Sequence, residues 1–459
     1  MTQLKCISPI DGTVLAERTG ASLPQAQTRI AAMRAAQADW AARPLQERID
    51  LVMAGVAAVG AMNDEIVPEL ARMIGRPIRY GGEFGGFNER ASHMAQIAET
   101  ALAPIVTGDD ATFKRYIKRV PHGVVFVVAP WNYPYMTAIN TVAPALIAGN
   151  VVLLKHATQT LLVGERMAQA FHSAGVPSDV FDNIFLDHDT SQQLIADRAF
   201  DFINFTGSVG AGAKLERAAA GTFVGVGTEL GGKDPGYVME DADLDAAVET
   251  LIDGAMFNSG QCCCGIERIY VHETLFDAFL AKAIDIVQGY KLGNPLDSNT
   301  TLGPMAHKRF ADEVRAQIAE AVEMGAVAHI PTFAQDDGGT YLTPQILTNV
   351  THDMRVMRDE SFGPVVGIMP VKDDAEAIAL MNDSEFGLTA SLWTRDIARA
   401  ERIGDRLETG TVFLNRADYL DPSLCWTGCK NTGRGGGLSV IGYHNLTRPK
   451  SYHLKKVTS

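Results

Sequence analysis

From residue 123 onward the chain repeats a pattern that few architectures satisfy. Short apolar runs alternate with longer stretches whose apolar residues fall three and four apart. Gly123-Val-Val-Phe-Val-Val-Ala-Pro130 reads as a buried strand ended by proline, and 138–148 as a helix stopped at Gly149-Asn150. Residues 151–155 read as a second strand, and about 161–174 as a helix closed by Gly175 with Pro177 behind it. Further strands are expected at 183–186, 201–205 and 223–227. Buried strands alternating with helices require right-handed crossovers and a parallel sheet, so the middle of the chain is expected to be a doubly wound, nucleotide-type domain. A second round follows, with helices at 244–257, 273–287, 310–325 and 375–382 and strands at 268–271, 365–370 and 390–393, which predicts a second α/β domain. Upstream, 23–40, 46–63 and 87–101 have the spacing of amphipathic helices. Two segments fit neither round. Residues 112–120 alternate basic with apolar side chains, and 446–456 are basic and polar; both are expected to project as strands.

Composition narrows the class. With 46% hydrophobic and 20% charged residues, the 459-residue chain can bury a large core. A net charge of −14 repels a phosphate backbone, so no nucleic-acid partner is expected. The N-terminus carries no apolar signal stretch, and the longest strongly apolar run, 124–129, is far short of the ~20 residues that span a bilayer. Six cysteines stand at 6, 262, 263, 264, 425 and 429; three in a row make a poor disulfide framework, and so few fit a reducing compartment. The expectation is a cytoplasmic globular enzyme without a membrane partner.

Five stretches could carry chemistry. Phe257-Asn-Ser-Gly-Gln-Cys-Cys-Cys-Gly265 is either a set of buried small hydrophobes or a displayed nucleophile. In an extended segment Cys263 would face away from Cys262 and Cys264. Gly227, Gly232 and Lys233 match a phosphate loop, but Asp234 replaces the required hydroxyl and its carboxylate would repel a phosphate. Glu229, at a strand end, is a general base or a solvated surface group. Asp201-Phe-Ile-Asn-Phe-Thr-Gly-Ser-Val-Gly210 is a strand entering a glycine-rich turn and a helix, where backbone N–H groups can meet a pyrophosphate. Pro130-Trp-Asn-Tyr-Pro134 and Lys155 both lie at strand ends, where doubly wound sheets bind ligands. Cys425 and Cys429 have no ligand partners nearby, so no metal site is expected.

Taken in order, these pieces resemble the aldehyde dehydrogenase superfamily. They are Pro130–Pro134, Lys155, Phe205-Thr-Gly-Ser208, Glu229-Leu-Gly-Gly-Lys233, Gly260-Gln-Cys-Cys263, Glu360-Ser-Phe-Gly-Pro364, Asn382 with Gly387-Leu-Thr-Ala390, and Gly428 through Gly435. The resemblance spans nearly the whole chain, and the short N-terminus and Lys155-His-Ala are similar to short bacterial semialdehyde-type members. It implies an α/β fold with a Rossmann-type cofactor domain (1–106 and 122–231), an α/β catalytic domain (232–440) and a small β oligomerisation element (107–121 and 441–459). That element would cross to a neighbouring subunit in a homodimer or homotetramer.

The resemblance also implies roles. Cys263 would attack a small-molecule aldehyde, and Asn132 with the Cys263 N–H would hold the oxyanion. Glu229 would activate the water that hydrolyses the thioester. NAD or NADP would bind at Trp131, Lys155, Thr158, Gly207, Ser208, Glu360 and Phe362. Thr158 stands where NAD-preferring members often carry a glutamate, which makes NADP acceptable. The substrate funnel would be lined by Tyr133, Met136, Phe257, Tyr419 and Trp426, with Asn140 replacing a common aromatic residue. Its aromatic walls suit aromatic or medium-chain aldehydes, or a cationic aldehyde through cation–π contact. Arg416 is the one nearby cation for a semialdehyde. Two alternatives stand beside this reading: a coenzyme A-acylating dehydrogenase, which the presence of Glu229 disfavours, and a non-catalytic binding or structural member of the family.

Overall fold

The apolar runs do become the buried centre of the molecule. In the computed structural model, which describes residues 2–457, Val124–Ala129 and Val151–His156 pair in parallel and are buried along almost their whole length. Residues 1, 458 and 459, the outer ends of the first and third expected parts, lie outside the described residues. Around this pair a six-stranded sheet runs in the order Gly433–Arg434, Gly225–Glu229, Phe202–Thr206, Val124–Ala129, Val151–His156, Phe181–Asn183, with only the first strand antiparallel. Strand order reverses between Val124–Ala129 and Phe202–Thr206. The crevice beyond the carboxyl ends of two such strands is where a doubly wound sheet takes its ligand. Leu23–Ala42, Leu45–Ala61, Pro134–Ile147 and Leu161–Ser173 join this sheet in one apolar core.

A second sheet has seven strands, ordered Val327–Ala328, Gln345–Thr348, Val365–Val371, Ile266–His272, Asp234–Val238, Thr389–Trp393, Thr411–Leu414, and is parallel except at its first pair. Asp234–Val238 is a fully buried central strand that the sequence pattern does not announce, because Asp, Pro and Gly open it. A register shift between Asp234 and Pro235 absorbs the missing N–H. The Asp234 carboxylate is satisfied inside by the Thr389 N–H at 3.1 Å and hydroxyl at 2.6 Å.

Two expectations are corrected. The strand placed at 183–186 is Phe181–Asn183. The strand placed at 223–227 is Gly225–Glu229, because Phe223 is solvent-exposed with φ 61° and stands in the turn before it. The two segments expected to project as strands are strands: Ile105–Asp109, Phe113–Pro121 and Thr447–Lys455 form a three-stranded antiparallel sheet. Among the described residues no single helix is long and apolar enough to cross a membrane.

Candidate active site

A cavity of about 330 Å³ lies between the two sheets, and Cys263 and Glu229 both line it. The sulfur reaches it from a turn rather than a strand. Helix Leu244–Met256 ends in a 3₁₀ turn, Phe257–Gly260, in which Asn258, Ser259 and Gly260 all take left-handed backbone angles (φ 54°, 56° and 68°). Only glycine holds such angles freely, and each strained residue costs of order 1–3 kcal/mol. Buried hydrogen bonds hold the turn. Asn258 Nδ2 donates to the Asn132 and Gln261 carbonyls at 3.3 and 3.2 Å, and Ser259 Oγ donates to the Gly303 carbonyl at 2.8 Å. The Gln261 side chain accepts from the Ala306 N–H at 2.8 Å. Cys262 and Cys264 are buried with sulfurs 3.5 Å apart, while Cys263 between them is partly open.

The Cys263 thiol is pushed above its ordinary range, first by the neighbouring Cys262 and further by burial. Glu229 ends the strand Gly225–Glu229, and burial lifts its carboxyl to about 7, against a smaller opposing pull from Arg90. A carboxylate tuned near neutrality is suited to general-base work. Asn132 is buried, and its Nδ2 donates to the Gln261 carbonyl at 3.2 Å, leaving its second hydrogen free. Its own carbonyl is fixed by Arg76 Nη2 at 2.5 Å, and the Arg76–Glu83 ion pair at 2.8 Å is almost wholly buried.

All five expected funnel residues, Tyr133, Met136, Phe257, Tyr419 and Trp426, line the same cavity, as does Asn140. One expectation fails. The Arg416 guanidinium lies over the Tyr419 ring, 3.6 Å from its centroid, and is not among the cavity-lining residues. The cation that does line it is Arg90, on helix Phe84–Leu102. Its signal was present in the sequence as a charge on the apolar stripe Phe87, Ala91, Met94 of an amphipathic helix. Asp418 was also missed; it takes φ 48°, lines the cavity, and is pushed to about 7 mainly by burial.

The groups expected to hold a dinucleotide gather at the switch-point crevice. Trp131 stacks on Phe310 (5.2 Å) and meets Phe362 edge-on (5.5 Å) just beyond the strand Val124–Ala129. Gly207 and Ser208 lead into helix Val209–Ala219, whose first turn no side chain caps; among the described residues the Val209 and Gly210 N–H groups have no partner and are free for a phosphate. Lys155 is buried, its pKa lowered to about 8 by desolvation, and among the described residues it has neither ion pair nor hydrogen bond. Thr158 opens the short turn that follows. Glu360, raised to about 8 chiefly by burial, accepts from the Gly232 N–H at 3.0 Å. An uncapped helix start, an uncommitted buried ammonium and a positioned carboxyl fit a nicotinamide dinucleotide.

The same geometry disposes of the phosphate loop. Lys233 Nζ is buried on Glu267 at 2.5 Å and Ser361 at 3.0 Å, so it faces away from the crevice chemistry. Gly232 is required for close approach, because a Cβ there would stand 2.3 Å from the Cys263 carbonyl oxygen.

Comparison with known proteins shows the family of the chain. The family model described as "Aldehyde dehydrogenase family" matches residues 1–452. The chain is 32% identical to a succinate-semialdehyde dehydrogenase [NADP(+)] of Deinococcus radiodurans, over 90% of this chain and 86% of that one. It is 31% identical to betaine aldehyde dehydrogenase 2 of Rhizobium meliloti, over 99% and 95%. The crystal structure of an NADP-dependent glyceraldehyde-3-phosphate dehydrogenase from Bacillus halodurans C-125, complexed with NADP, superposes with a TM-score of 0.93 at 31% identity, covering 99% of this chain and 96% of that one.

Proposed function

The chain belongs to the aldehyde dehydrogenase family and is an NAD(P)-dependent aldehyde dehydrogenase, and from that premise we propose that Cys263, Glu229 and Asn132 carry its chemistry. The observation that supports this most is the sharing of one buried cavity by a partly open thiol and a carboxyl tuned to about 7. Cys263 gives up its proton to solvent, and the sulfur adds to the aldehyde carbon. The resulting oxyanion takes the free Nδ2 hydrogen of Asn132 and the backbone N–H of Cys263, which has no other partner among the described residues. One such donor is worth ~3–4 kcal/mol of barrier. Bound NAD(P)+ supplies the electron acceptor, leaving a thioester on Cys263. Glu229 then draws a proton from water, the hydroxyl adds to the thioester carbon, the thiolate leaves, and the carboxylic acid is released.

We assign Trp131, Gly207, Ser208, Glu360 and Phe362 to the pyrophosphate and nicotinamide-ribose side of the cofactor, and Lys155 and Thr158 to the adenosine ribose. Near that end His188 is depressed mainly by burial, with the Lys155 and Lys214 ammoniums lowering it and the Asp187 and Asp189 carboxylates raising it. A neutral Thr158 in place of a carboxylate lifts a repulsion against a 2′-phosphate, so NADP+ is accepted. Residues 1–106 with 122–231 form the cofactor part, 232–440 the catalytic part, and 107–121 with 441–459 the element that builds a homodimer or homotetramer. Its outer strand exposes Ile105 and Val106, and an apolar open edge invites another chain. A cytoplasmic location fits the six free thiols.

The test is reduction of NADP+ and NAD+ followed at 340 nm without coenzyme A. Cys263→Ala is expected to abolish turnover while retaining cofactor binding, and Glu229→Gln to give one burst of reduced cofactor and then stall. An unchanged steady rate in either variant would sink the corresponding assignment.

A further inference from the structure

We propose that Arg90 is the substrate-anchoring residue of this cavity and that it selects an aldehyde whose far end is a carboxylate. This rests on the reading of the cavity as the aldehyde site. Arg90 is nearly sealed, at 7% exposure, yet forms no ion pair among the described residues. Its Nη1 donates to the Met136 carbonyl at 3.0 Å and to Asn140 Oδ1 at 3.4 Å. No hydrogen bond among the described residues engages Nε or Nη2, and neither is among the side-chain atoms closed off without a partner. A guanidinium presents its remaining donors as a planar fork that matches a carboxylate. Glu83 and Glu229 act on that charge only from beyond ion-pair distance, and burying it with no anion in contact is costly; the cavity beside Cys263 and Glu229 is the place from which a contacting anion can come.

Three observations favour a carboxylate over other head groups. The cavity is small, about 330 Å³, and its wall already holds the carboxyls of Glu89, Glu229 and Asp418, so a phosphate dianion meets more repulsion than a singly charged group. The aromatic faces that would receive a cation are partly taken. Arg416 lies 3.6 Å from the centroid of Tyr419 and Arg76 lies 4.6 Å from that of Tyr133. A cationic head would also meet Arg90 itself. Asn140, small and polar where it holds Arg90 in place, gives the fork room and orientation in the same stroke. A site built to bond a polar group rejects the analogue that lacks it far more strongly than an apolar pocket rejects a missing methylene.

The experiment compares 4-oxobutanoate, butanal and 3-aminopropanal as substrates of the wild type and of Arg90→Gln. It is run at pH 9, above the value of about 7 to which burial lifts Glu229. We expect the wild type to prefer 4-oxobutanoate over butanal by about 100-fold in kcat/KM, and the variant to lose most of that ratio through a higher KM. A wild-type ratio near one, a preference for the aminoaldehyde, or a ratio unchanged by Arg90→Gln would overturn the proposal. A second measurement needs no variant and no turnover. Glutarate should slow alkylation of Cys263 by iodoacetamide, read by peptide mass spectrometry, while glutaramide should not; equal effects would also overturn it. Oxidation of none of the aldehydes would instead count against the function proposed above, and glutarate protection would still decide the role of Arg90.

Discussion

With Glu229 proposed as the general base, its carboxyl should set the pH at which the enzyme works. Its carboxyl is raised from 4.5 to about 7, chiefly by burial, with Arg90 pulling the other way. A general base acts only when deprotonated, so the rate of thioester hydrolysis should rise with pH through about 7 and fall about tenfold per unit below it. Stopped-flow or steady-state pH profiles at saturating aldehyde check this, and an acid limb near 4.5 would mean that the base is solvated. The coupling to Arg90 gives the profile a sign. Arg90 stabilises the ionised carboxylate, so Arg90→Gln should move the acid limb to higher pH. A limb that stays put would mean that the two groups do not sense each other. The same residue scale shows what a linear reading of the chain can miss: Arg90 and Asp418 reach the cavity from segments 328 positions apart, and neither sits in a recognisable motif.

At the scale of elements, the strained turn Phe257–Gly260 is what presents the thiol. Gly260 has φ +68°, and a Cβ there would lie 2.2 Å from the Gly363 backbone, on the stretch that carries Glu360 and Phe362. Gly260→Ala should therefore displace both the nucleophile loop and the loop assigned to the nicotinamide ribose. The expected outcome is a loss of at least about 100-fold in kcat together with weakened cofactor binding, measured by steady-state kinetics and by titration of the dinucleotide. Retained affinity with a normal kcat would show that the two loops are independent. This turn also explains which parts of the molecule were legible in sequence. The strands Val124–Ala129 and Val151–His156 and the helices around them were readable because burial on both faces leaves an apolar signature. Asp234–Val238 was not, because its Asp and Pro are paid for by tertiary partners, Thr389 and a register shift, that lie far away in sequence. The candidate nucleophile, base and oxyanion amide were legible because each closes a recognisable motif. The left-handed turn at Asn258 and Ser259 was not, since non-glycine residues hold those angles only when surrounding hydrogen bonds compel them.

At the scale of the whole molecule, the small antiparallel sheet contributes no residue to the buried apolar clusters. Thr447–Lys455 pairs with Phe113–Pro121 over nine residue pairs, and Arg119 ties the two together through Thr447 at 2.9 Å. The stacked rings of Tyr116 and Tyr452, 4.6 Å apart, add a cross-strand contact. The sheet is thus complete within one chain, yet its outer strand Ile105–Asp109 leaves Ile105 and Val106 more than half exposed. Exposed apolar side chains on an unpaired edge are a liability in an isolated subunit and an asset in an assembly. Blocking the edge should therefore dissociate the assembly without unfolding the subunit. Ile105→Lys with Val106→Lys introduces charge where no core contact is lost, so the circular dichroism spectrum and melting temperature of the double variant should stay close to those of the wild type. Sedimentation velocity is expected to show a dimer or tetramer for the wild type and a shift towards the 49.4 kDa monomer for the variant. A wild type that sediments as a monomer, or a variant that keeps the full assembly, would mean that this edge is not where subunits meet. Because the cavity that holds Cys263, Glu229 and Arg90 is lined within one chain, the dissociated variant should still oxidise aldehydes; loss of turnover in a folded monomer would instead show that the neighbouring subunit holds the site in shape.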